Sequence, residues 1–74
     1  MKINVALFGL GRIGLMHGKN IKLHKKFNLK YVYDINKKLS LNVSRKLKSV
    51  YIKNPNIAFK DKNIKVIFIS STTS

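Results

Sequence analysis

The stretch Val5-Ala6-Leu7-Phe8-Gly9-Leu10-Gly11-Arg12-Ile13-Gly14-Leu15-Met16-His17-Gly18 decides how this chain folds. It opens inside Lys2–Phe8 (KINVALF), a short apolar run with β-branched residues. Glycines at Gly9 and Gly11 end that run, so it reads as a buried strand. From Arg12 to about Lys26 the spacing changes. Ile13, Met16, Asn20, Leu23 and Phe27 recur every three or four residues, which is helical spacing. Lys25 and Lys26 then sit in the expected last turn, where cations suit the helix dipole.

Working outward, Leu29–Asp34 (LKYVYD) predicts a second strand. Asn36 has the position of an N-cap. Ile35, Leu39, Val43, Leu47 and Val50 follow at steps of four, four, four and three, which predicts an amphipathic helix over Lys37–Lys48. Val50–Lys53 reads as a short third strand. Pro55 marks a turn, and Asn56–Lys62 suits either a turn of helix or a loop. Lys65–Ser70 contains Val66-Ile67-Phe68-Ile69, a continuous apolar run of the kind buried on both faces of a parallel sheet. Alternating strands and helices predict an α/β fold. The expected architecture is a Rossmann-type parallel sheet, N-terminal half only, with strand order 3-2-1-4.

Gly9-Leu10-Gly11-Arg12-Ile13-Gly14 is a GxGxxG. Its context makes the pattern informative. It follows the first strand, opens the first helix, and has an acid, Asp34, 20 positions beyond Gly14 at the end of the second strand. That arrangement predicts a dinucleotide site. Gly9 permits the tight exit from the strand, Gly11 lets a pyrophosphate approach the backbone, and Gly14 lets the helix pack closely. The amides near Arg12 and Ile13 would meet the phosphates at the helix start. Asp34 would accept hydrogen bonds from the ribose hydroxyls. Its charge repels a 2′-phosphate, which favours NAD, while Lys37 and Lys38 nearby leave NADP open.

Composition bounds the remaining functions. The 74 residues make one small domain, which buries only about 60% of its unfolded surface. There is no cysteine, so thiolate metal sites and thiol nucleophiles are excluded. Two histidines and two aspartates are few for a metal centre, and none is expected. No apolar run approaches the roughly 20 residues that cross a bilayer, and the start lacks the marks of a secretory signal. A cytoplasmic protein is the expectation. The net charge is +14, with 14 lysines among 16 basic residues. One reading is a small basic module for nucleic acid. The favoured one is A/T-rich codon usage, because lysine, asparagine and isoleucine fill 31 of 74 positions and lysine is spread from Lys2 to Lys65. His17 is assigned a structural role and His24 a place on the surface. Ser70–Ser74 has no paired base, so it reads as a strand-end loop lining the cofactor crevice rather than a nucleophile cluster.

The run VALFGLGRIGLMHGKNI, followed by YVYD and by VIFISSTTS, resembles the N-terminal part of the glucose–fructose oxidoreductase and inositol dehydrogenase family, Gfo/Idh/MocA. His17, three residues after the last motif glycine, and Asp34 match the family's pattern. Ser70-Ser71-Thr72 is most similar to the inositol 2-dehydrogenase branch. The resemblance implies NAD(P)-dependent oxidation of a sugar or cyclitol hydroxyl. It implies cofactor-binding positions at Gly9, Gly11, Arg12, Ile13, Gly14, Asp34, Ser70, Ser71 and Thr72. The family's catalytic lysine segment and substrate domain have no counterpart here, so no catalytic residue carries over. Residues 1–74 are expected to be a partial cofactor domain, inactive alone, whose last strand leaves an apolar edge open to another chain. A non-catalytic subunit or degraded gene product is the alternative to a dehydrogenase fragment.

Overall fold

The structure is a computed structural model that describes residues 2–70. Its elements are β1 (Ile3–Phe8), α1 (Arg12–Leu23), β2 (Phe27–Tyr33), α2 (Lys37–Leu47), β3 (Val50–Tyr51), α3 (Asn56–Lys60) and β4 (Ile64–Ile69). The strands form one parallel sheet in the order β3-β2-β1-β4. The order expected from the sequence is the one observed.

β1 is central, and Val5, Ala6 and Leu7 are fully buried. Alternate side chains of a strand point to opposite faces. Val5 and Leu7 therefore join Leu10, Ile21, Leu29, Val32, Val43 and Leu47 beneath α1 and α2. Ala6 joins Ile52 and Ala58 on the α3 side, where Phe8, Tyr31, Tyr33, Ile64 and Ile67 pack around them. Two extra residues interrupt the ladders. Lys30 is inserted in β2 between the partners of Val5 and Ala6, and Lys65 in β4 between the partners of Asn4 and Val5. Each extra lysine moves the alternation on by one place, so Leu29 and Tyr31, and likewise Ile64 and Val66, pack on opposite faces of the sheet while each stays level with its β1 neighbour.

Several local expectations are corrected. α1 ends at Leu23, so Phe27 belongs to β2, and Lys22 rather than Lys25 or Lys26 is the cation of its last turn. The apolar stripe that marks the helix in the sequence faces outward: Ile13, Met16 and Leu23 are 50%, 53% and 81% exposed. The buried face of α1 is Gly14, Gly18 and Ile21. A Cβ on Gly18 would lie 2.5 Å from Leu47 Cδ1 and 3.2 Å from Leu7 Cδ2, so the helix seats where side chains are missing. β3 is shorter than expected, and Asn56–Lys60 is helical. β4 packs on both faces, Val66 and Phe68 on one cluster and Ile64 and Ile67 on the other, but only partly: its described hydrogen-bonded neighbour is β1 alone, and Ile69 is 72% exposed.

α2 follows its spacing at Leu39, Val43 and Leu47 and ends at Leu47, while Ile35 and Val50, outside the helix, are exposed. Val43 and Leu47 are buried, and Asn36 accepts a 3.1 Å hydrogen bond from the Leu39 N–H at the helix start. The Lys22 ammonium donates to the Leu47 carbonyl at 2.6 Å, satisfying a C-terminal acceptor of α2 from α1.

Candidate functional site

The carboxyl ends of β1, β2 and β4 meet at the glycine turn. Gly9 has φ of +90°, a left-handed conformation that side chains with a Cβ rarely adopt. Its N–H donates to the Tyr33 carbonyl at 2.9 Å, tying the exit of β1 to the end of β2. On the other side the Ser70 N–H donates to the Phe8 carbonyl at 2.7 Å, and the Ser70 carbonyl fills the space a Gly9 Cβ would need. Gly14 rests directly on the Gly9 carbonyl, with the Ser70 side-chain oxygen close by, and no Cβ could be placed there. Towards β4 and α1 the turn is thus closed by backbone packing.

Gly11 caps α1 with extended backbone and no side-chain cap, and its carbonyl accepts the Leu15 N–H at 2.8 Å. The first N–H groups of a helix have no partner within it, so those of Arg12 and Ile13 are available at the head of α1. No acid lies in that first turn. The local field there favours an anion.

Asp34 stands just beyond β2. Its Oδ2 accepts the Leu10 N–H at 2.7 Å and its Oδ1 the Asn36 N–H at 2.8 Å. Ser40 Oγ donates to the Asp34 carbonyl at 3.1 Å. A cleft of about 440 Å³ opens beside this carboxylate, lined by Phe8, Gly9, Tyr33, Asp34, Ile35, Pro55, Phe59, Ile69 and Ser70. Phe8 meets Tyr33 and Phe59 edge-on, each at 5.6 Å between centroids, and these rings form an apolar wall.

Of the site residues expected from the sequence, Gly9, Asp34 and Ser70 line the cleft, and Gly11, Arg12, Ile13 and Gly14 continue from it into α1. Ser71 and Thr72 lie outside the described residues. His17 and His24 are exposed and border a separate shallow groove with Phe27 and Phe68, away from the turn. Leu10, Pro55 and Phe59 were not expected. Leu10 is fully buried and gives its N–H to Asp34, while the five-residue helix that carries Phe59 is too short for periodicity to reveal.

The other acid, Asp61, is paired on the α3 side of the sheet. It accepts from Lys30 Nζ and from the Tyr31 hydroxyl, both at 2.7 Å, and its Oδ1 accepts the Asn63 N–H at 2.8 Å. The Lys30 bond, then the Tyr31 bond, then the Asn63 amide hold its carboxyl down at about 2. Lys30 and Tyr31 are each raised in turn, chiefly by their own bonds to Asp61. Among the described residues no three His, Cys, Asp or Glu side chains gather as a metal site, and no helix is long and apolar enough to cross a membrane.

A parallel sheet whose strand order reverses beside β1, with a glycine-built turn leading into a helix and an acid on the next strand, defines the doubly wound, dinucleotide-binding class of α/β domains. The chain belongs to the oxidoreductase family with an NAD-binding Rossmann fold, Gfo/Idh/MocA, which it matches over residues 3–74. Among solved structures it is similar to a myo-inositol dehydrogenase from Corynebacterium glutamicum, with 27% identity and TM-score 0.85, over 96% of this chain and 21% of that one. A myo-inositol dehydrogenase from Lactobacillus casei, in complex with NAD(H) and myo-inositol, is 19% identical at TM-score 0.87, over 97% and 22%. A UDP-N-acetylglucosamine 3-dehydrogenase from Acidithiobacillus ferrooxidans is 17% identical at TM-score 0.84, over 100% and 23%. The last two likenesses concern the fold. The chain spans about a fifth of the length of these structures. None of the curated proteins compared matches the sequence.

Proposed function

We propose that this chain is the NAD half-site of an oxidoreductase acting on a CH–OH group of a sugar or cyclitol. The observation that carries the reading is the turn itself: Gly9 at φ +90°, Gly14 seated on it, and Asp34 alongside. Gly11 leaves the phosphates an unobstructed approach, and the N–H groups of Arg12 and Ile13 receive them. Asp34 accepts the adenosine ribose hydroxyls with the lone pairs its two amide partners leave free. Phe8, Ile35, Pro55 and Phe59 offer the base an apolar surface, and Ser70 closes the side towards β4. Ser71 and Thr72 are included on the family resemblance. When bound, NAD supplies the hydride acceptor. This chain's residues bind and orient it, and no residue here is assigned to the proton transfer. The chain by itself therefore binds the dinucleotide without turning over substrate.

Titration with NADH, followed by calorimetry at two salt concentrations, tests this. Saturable binding that survives the higher salt supports the site. Absence of saturation overturns it, and so does binding that an RNA oligomer competes away and that falls steeply with salt. The last outcome would favour the basic-module reading, against which stand lysines on α1, α2, α3, β2 and β4 rather than on one face. Turnover of myo-inositol by the purified chain would overturn the assignment of no catalytic residue.

The reading extends to two finer points. The outer edge of β4, without a neighbour among the described residues, takes a further strand from another chain, because an open apolar edge is a template for pairing. A sedimentation profile that stays monomeric at high concentration would refute this. The chain resides in the cytoplasm, which fractionation of the tagged protein tests.

A further inference from the structure

We propose that Asp34 is a positioning residue: it holds the glycine turn in its phosphate-receiving shape, apart from any contact with ribose. The inference rests on the reading that this turn receives a diphosphate. Two successive N–H groups fasten the turn to the end of β2, Gly9 to the Tyr33 carbonyl at 2.9 Å and Leu10 to Asp34 Oδ2 at 2.7 Å. The first bond is ordinary ladder geometry. The second is made by a side chain, and Gly9's left-handed φ lies between the two anchored amides. The carboxylate is itself fixed. Its second oxygen takes the Asn36 N–H at 2.8 Å, Asn36 caps α2, and Ser40 of α2 holds the Asp34 carbonyl. A line of hydrogen bonds thus runs from the first turn of α2 to the middle of the glycine motif.

Only a carboxylate does this. It presents acceptors on both oxygens, so it takes two amides and keeps capacity for two hydroxyls. An asparagine offers one acceptor oxygen, and its NH₂ would face the other amide donor. Loss of the Leu10 bond leaves a backbone donor beside a fully buried residue without its partner. The turn would relieve that by rotating, and the Arg12 and Ile13 amides that follow would lose their aim.

The electrostatic sign makes the idea testable. A carboxylate near a diphosphate repels it, so removing the charge alone should tighten binding of any phosphate ligand. A positioning role predicts the opposite, even for a ligand with no ribose diol. The full chain and Asp34→Asn are titrated with ADP and with 2′,3′-dideoxy-ADP, and amide exchange at Leu10 is followed by NMR. Asp34→Asn should bind dideoxy-ADP at least about tenfold more weakly, the factor expected for losing one charge-assisted hydrogen bond. Leu10 exchange should accelerate by a similar factor, while Val5 and Leu7 keep their protection. Equal or tighter dideoxy-ADP binding by the variant, or loss confined to ADP, overturns the proposal and leaves Asp34 a ribose contact only. An unprotected Leu10 amide in the unaltered chain overturns it without any variant. Should Asp34→Asn fail to fold, Asp34→Glu keeps the charge and moves the oxygens. Weaker dideoxy-ADP binding then supports positioning, and unchanged binding refutes it. If the unaltered chain binds neither nucleotide, the dinucleotide reading falls, while Leu10 exchange still judges whether Asp34 holds the turn.

Discussion

α1 and α2 lie on the same side of the sheet over one core, yet they are mounted in opposite ways. α2 rests on side chains: Val43 and Leu47 are buried, and its apolar spacing points at the sheet. α1 rests on absences: Gly14 and Gly18 are buried, with Ile21 the one large buried side chain, while Ile13, Met16 and Leu23 face outward. The difference follows from what each helix must do. The head of α1 has to reach the end of β1 closely enough for Gly14 to touch the Gly9 carbonyl. Any side chain on that face would hold it off. α2 has no such duty and takes the ordinary packing distance of a side-chain interface.

Substitutions at the two interfaces should separate these mountings. Leu47→Ala empties the contact under both helices and should cost about 2–5 kcal/mol in denaturant unfolding. Gly14→Ala drives a methyl into a backbone carbonyl that cannot step aside, and a loss of about 3 kcal/mol, the upper range for overpacking, is expected. Gly18→Ala meets only the ends of Leu47 and Leu7, so it should cost clearly less than Gly14→Ala. In the Leu47→Ala background that cost should disappear, a coupling a double-mutant cycle would read. If the two alanines cost the same, α1 is not seated as described. Asn36→Ala removes the cap of α2 and should lower stability by about 1 kcal/mol.

A smaller effect belongs to the α3 side. The folded Asp61 carboxyl, at about 2, lies below its ordinary 3.8, so its contribution is present above pH 4 and is lost as pH falls towards 2. Asp61→Asn should flatten that part of the stability profile, lowering stability slightly above pH 4 and leaving it nearly unchanged near pH 2. Smallest of all, Ile13→Gln and Met16→Gln should each change stability by no more than about 0.5 kcal/mol, because both side chains are exposed and belong to neither core cluster.

The same contrast explains what the sequence could tell. Strand order and the glycine turn were legible because they rest on local chemistry: β-branched runs, glycines at fixed offsets, an acid at the next strand end. α2 was legible because burial there is by side chains at helical spacing. The buried face of α1 was not legible because hydrophobic periodicity reports side chains, and that face has few. The signal that could have revealed it was Gly18, one helical turn from Gly14 on the same face. The VIFI run of β4 records what that strand is suited to be buried against, and the described chain supplies a neighbour on one edge only. Phe59 was missed because five helical residues carry no usable period. The Asp34–Leu10 bond joins residues 24 apart, and no local pattern announces which donor a carboxylate will meet.

The pairing of β1 with β4 also sets an order in time. The wall of the cleft beside Gly9 is Ser70, so β1 waits for β4 to be synthesised before the glycine turn is enclosed. Until then Val5, Ala6 and Leu7 have one flank uncovered. Contacts between such distant positions slow folding, because the chain must close a long loop before they form. A nascent chain stalled after β3 would hold every residue of the glycine motif and still have no finished pocket.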